Sequence, residues 1–124
     1  METITKFEEI ARNKEDKLPD GINRDLYWGY HESRNAGADE INLSDVNREN
    51  DVDRIIENCK RFSIERITFS STWSRAMGIV WEFVKRGCAI EGMKEVPLDS
   101  YDYDPDTNEK IQRKKPAIII RIAK

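Results

Sequence analysis

The segment "ITFSSTWSRAMGIVWEFVKRG" (Ile67–Gly87) passes from a short apolar run into three hydroxyl residues, then into an apolar helix that stops at a glycine. In "ERITFSS" (65–71), Ile67 and Phe69 fall on one side and Thr68 and Ser70 on the other, the alternation of a strand. The helix that follows, residues 72–86, carries Trp73, Met77, Val80, Trp81 and Val84 on one broad face. Ala76, Ile79 and Phe83 widen that face, which predicts burial on more than one side. Lys85 and Arg86 suit the last turn, and Gly87 is free to take positive φ. Gly78 inside the helix costs about 1 kcal/mol against alanine and predicts a close approach of another backbone.

Working outward, residues 48–62 predict a second helix, because Val52, Ile55, Ile56, Cys59 and Phe62 form one stripe. "LYWGYHES" (26–33) reads as a strand with Leu26, Trp28 and Tyr30 on one face. Gly29 between aromatics marks a bulge or a close backbone approach. "RNAGAD" is a turn, and "EINLSDV" (40–46) fits either a short edge strand or an extended lead-in. Upstream, Thr5 and Glu8 make a capping box for a short helix over residues 5–14, followed by a loop through Pro19 and Gly21.

Downstream, residues 88–98 read as a strand, 99–115 as a polar connection and "PAIIIRIA" (116–123) as a final strand buried on both faces. The last two strands make an antiparallel hairpin with "YDPDTNE" at its tip, Pro105 taking position i+1 of a turn. Strand–helix–strand repeated twice implies parallel strands and right-handed crossovers. The expected fold is α/β or α+β: a single mixed sheet of four or five strands, two crossover helices, a short N-terminal helix and a C-terminal antiparallel hairpin. Residues 1–124 are expected to form a single domain, with 1–25 as helix and loop and 26–124 as core.

The 24 acidic and 21 basic residues give a net charge of −3, so there is no basic excess to neutralise phosphates. Nucleic acid is therefore a disfavoured partner. Cys59 and Cys88 lack CxxC spacing and read as buried thiols in a reducing cytoplasm. The N-terminus has no signal-peptide core, and no apolar run is long enough to span a membrane.

In parallel α/β units, ligands bind beyond the carboxyl ends of strands, where helix N-termini attract anions. His31, Glu32, Ser70, Ser71, Thr72 and Trp73 are the candidate ligand residues at such a rim. Helix capping alone also accounts for the hydroxyls, at about 1 kcal/mol for a cap. The chain has no Walker or GxGxxG glycines, no GxSxG elbow and too few His and Cys for a zinc site, so no cofactor, metal or catalytic residue is assigned. Asp102, Asp104 and Asp106 have calcium-loop spacing, but Thr107 and Arg113 stand where glycine and glutamate are needed.

The pattern "YWGYHES…ITFSSTWS…FVKRGCAIEGMKEV", with Gly87, Gly92 and a closing strand after Pro116, resembles a family of small uncharacterised proteins encoded by mobile elements of gut Firmicutes. The resemblance runs from Leu26 to the end. It implies a protein with no assigned activity, catalytic residues or cofactor. Three readings stand: a non-enzymatic accessory protein that binds another protein, a small-ligand or anion-binding domain (an enzyme among the options) at the His31 and Ser70–Thr72 rim, and an inhibitor of a host nucleic-acid enzyme. A concave rim favours the second; an exposed apolar patch elsewhere favours the first.

Overall fold

A computed structural model describes residues 21–124. The helix expected over residues 5–14 lies outside them. The first element is a helix, α1 (Arg24–Ala36), not the strand expected over 26–33. The Asn23 side-chain oxygen accepts the Leu26 N–H at 2.9 Å and starts the helix. Gly37, at φ 81°, ends it by donating to the carbonyls of its last turn. Leu26, Tyr27, Tyr30 and Ser33 are buried, a helical spacing, whereas Trp28 is half-exposed. The aromatics favour strands intrinsically, but these caps and this burial face override that preference.

Strand β1 (Asn42–Leu43) is the short edge strand left open above. Helix α2 (Asp51–Arg61) buries Val52, Ile55, Ile56 and Cys59, as the stripe predicts. Strand β2 (Arg66–Phe69), helix α3 (Ala76–Lys85), strand β3 (Ala89–Tyr103) and strand β4 (Lys110–Arg121) complete the order. The sheet is single, mixed and four-stranded, in the order β1-β2-β4-β3, which makes the fold α+β. β1 and β2 pair in parallel, so the first crossover runs from β1 through α2 to β2. β4 pairs antiparallel with both β2 and β3, so β2 and β3 point the same way. The second crossover therefore skips one strand position, and β4 fills the gap.

Register partners Ile67↔Ile120 and Phe69↔Ile118 share the face that packs with Ile55, Ile79 and Phe83. Thr68↔Ile119 share the other. Residues 99–115 are not a polar connection. The strands run on to Tyr103 and from Lys110, and residues 104–109 form the tip. Asp104 Oδ1 accepts the N–H groups of Asp106 (2.7 Å) and Thr107 (3.2 Å), which closes the tip. β2 pairs only with residues 118–121 of β4, so the distal hairpin projects as a two-stranded arm. Gln112 braces the arm by donating to the carbonyls of Ala36 (2.8 Å) and Leu98 (3.1 Å).

Candidate functional site

The parallel pairing brings the ends of β1 and β2 to one edge. There the Ser70 N–H donates to the Leu43 carbonyl at 3.0 Å. Ser70 itself is buried, and its hydroxyl accepts from Asn42 Nδ2 at 2.9 Å. Asn42 Oδ1 accepts from Thr68 Oγ1 at 2.8 Å, and the Asn42 N–H donates to Ser33 Oγ at 2.8 Å. Four polar residues thus tie α1, β1 and β2 together under cover. Ser71 Oγ accepts the Trp73 N–H at 3.3 Å and donates to Asp45 Oδ1 at 3.4 Å. Arg75 pairs with Asp45 at 2.7 Å and donates to the Asn47 carbonyl at 3.0 Å. Thr72 and Trp73 are exposed.

These hydroxyls do not cap α3. The helix begins a turn later than expected, with Arg75 at its cap position and no side-chain bond there. His31 lies within α1 rather than at a strand end. Its ring packs edge-on against Tyr27 at 4.6 Å and Tyr30 at 5.1 Å. Burial, and then the charge of Arg34, holds its pKa below the ordinary histidine value. Glu32 is exposed on the same helix. The expected residues therefore divide between a buried ladder (Ser70), a local turn (Ser71), the surface (Glu32, Thr72, Trp73) and an aromatic cluster (His31).

A cavity of about 420 Å³ opens between the end of α2 and the base of β2 and β4, over Cys59, Ile64 and Ile122. Of the cations that line it (Lys60, Arg66, Arg121 and Lys124), Arg66 and Arg121 pair with Glu91. A smaller hollow of about 190 Å³ lies between residues 37–40 and 94–97. Neither is lined by His31, Ser71 or Thr72. Among the described residues, no group of three or more His, Cys, Asp or Glu is placed to hold a metal, and no helix is long and apolar enough to cross a membrane.

The largest departure from expectation is on α3. Ile79 and Phe83 are buried and Ala76 and Val80 pack beside them, but Trp73, Met77, Trp81 and Val84 are 68%, 84%, 57% and 36% exposed. One edge of α3 faces α2, where Arg86 bonds Asp53 at 2.5 Å and Glu82 at 2.7 Å. The stripe of Met77, Trp81 and Val84 lies on the other edge, at i, i+4 and i+7, with Trp73 four residues earlier in the turn before the helix. On that side β3 presents Ile90 and Met93, 49% and 66% exposed, whose register partners Ile120 and Ile118 face the helices. Trp28, on α1, is also half-exposed. Sequence reasoning missed this surface because it read the broad apolar face of residues 72–86 as buried and set only Trp73 apart, as a rim residue. The signal was present: eight large or small apolar positions circle more of the helix than one sheet can cover.

What the fold and this surface define is a small α+β domain with an uncovered apolar helix edge. The chain belongs to the family described as domain of unknown function DUF7698, which it matches over residues 25–122. No curated protein and no solved structure matches it.

Proposed function

We propose that the chain is a non-enzymatic interaction protein that docks another protein surface on the outer edge of α3. One observation carries this reading: Met77 and Trp81, four residues apart on α3, stand largely in solvent, and Trp73 in the preceding turn, Val84, Ile90 and Met93 are exposed as well. Monomeric soluble domains seldom leave so large a contiguous apolar area open, and Trp and Met are favoured at protein interfaces. The resemblance noted above adds an accessory role in a mobile element to the proposal, in a reducing cytoplasm where Cys59 and Cys88 remain free thiols.

A photo-crosslinking residue placed at Met77 in the native host tests it. A discrete adduct is expected from position 77, none from position 107 at the arm tip, and loss of the adduct in Trp81→Glu. Equal labelling from both positions would refute the reading.

A further inference from the structure

We infer that the protein docked on α3 is a second copy of this chain, related by a two-fold axis that passes beside Met77. The inference rests on the docking reading above and names its occupant.

Three consecutive positions of the stripe, Trp73, Met77 and Trp81, read the same from either end. Trp73, Met77 and Trp81 are evenly spaced by four residues. Trp73 sits in the turn that leads into α3, where its carbonyl accepts the Ala76 N–H at 2.9 Å. A two-fold axis at Met77 lays two copies of α3 antiparallel, with each Trp73 against the other copy's Trp81 and Met77 against its own copy. An isologous interface requires such a self-complementary patch.

Area agrees. A whole large side chain offers about 200 Å², so Trp73, Met77, Trp81, Val84, Ile90 and Met93 at their observed exposures leave roughly 700 Å² open. A stable interface uses about 800 Å² from each partner.

The close approach expected at Gly78 is absent: a Cβ there would meet only Glu49 Oε1, at 3.8 Å. Gly78 stands about 100° around the helix from Met77, on the side of Glu49, and takes no part in the contact proposed here.

The test is light scattering of the full chain under reducing conditions over a wide concentration range, with Met77→Glu and Met77→Cys. The expected results are a mass twice the 14.5 kDa chain, a monomer with unchanged circular dichroism for Met77→Glu, and an oxidised Met77→Cys that links to itself. Trp28→Cys, on α1, should not link. Self-linking at 77 does not depend on how well the glutamate variant folds, and Cys59 and Cys88 are buried and do not compete. A dimer that survives Met77→Glu and does not link through position 77 overturns the inference. A monomer at every concentration also overturns it. In that case the dye bis-ANS separates the two ideas: binding that Met77→Glu abolishes leaves the docking reading standing with a different partner, and no binding removes both.

Discussion

A side-chain carbon at Gly29 would stand 2.7 Å from the carbonyl oxygen of Asn42 and 3.2 Å from Leu43 Cδ2. Helix α1 thus lies directly on the backbone of β1. Gly29→Ala would gain helix propensity but force helix and strand apart. A net loss of about 1–3 kcal/mol is expected, read from urea unfolding. Unchanged stability would show that the two elements separate freely.

Asn42 is the hub of the buried ladder. Asn42→Leu leaves Thr68 Oγ1 and Ser70 Oγ with fewer partners, while the backbone N–H that Ser33 Oγ accepts is kept. A loss of roughly 2–4 kcal/mol is expected. Ser70→Ala removes one rung and should cost about 1 kcal/mol. If Ser70 instead held a ligand, its substitution would leave stability untouched.

Three carboxyls are held below their ordinary range by guanidinium partners: Asp53 and Glu82 by Arg86, with Lys85 adding to Glu82, and Glu91 by Arg66. A carboxyl lowered in the folded state contributes stability that is complete above its unfolded pKa and lost as pH falls through its folded pKa. The depressed His31 contributes a loss that begins as pH falls through the ordinary histidine range, while these three carboxyls leave Tm unchanged near neutrality and lower it below about pH 4. Arg86→Met should lower the neutral Tm and flatten that fall, as measured by thermal melts across the acid range.

Burial pushes the Cys59 thiol far above its ordinary pKa, with nearby Cys88 adding to the shift, and burial also raises Cys88. Both thiols should resist iodoacetamide in the native protein and react once denaturant is added. Mass spectrometry reads the difference. Rapid labelling of Cys59 without denaturant would mean that the end of α2 opens on its own.

Gln112 fastens the arm to the end of α1. Gln112→Ala should raise amide exchange between residues 98 and 115 while the global unfolding midpoint hardly moves, because an isolated two-stranded ribbon has little stability of its own. A large drop in global stability would assign Gln112 to the core instead.

Helix α2, β2 and the terminal hairpin were legible because their apolar spacing and turn residues agree. Helix α1 was not: alternation in "LYWGYHES" imitates a strand, and the deciding residues, Asn23 and Gly37, lie outside that window. The strand-end rim was inferred from two adjacent parallel crossovers. The long-range pairing of β4 with β2, which no local pattern encodes, gives only one such adjacency. The apolar edge of α3 escaped because hydrophobicity alone does not distinguish a side chain facing the sheet from one facing another molecule.

β4 is the last strand along the described chain, yet it occupies an interior position between β2 and β3. Synthesis therefore delivers the keystone after the stones on either side. Until Ile118–Arg121 arrive, β2 has only two-residue β1 beside it and the base of β3, Ala89–Met93, has no neighbour, so the sheet closes late. Chains stalled before that point should be choice substrates for chaperones and proteases, whatever the finished molecule goes on to bind.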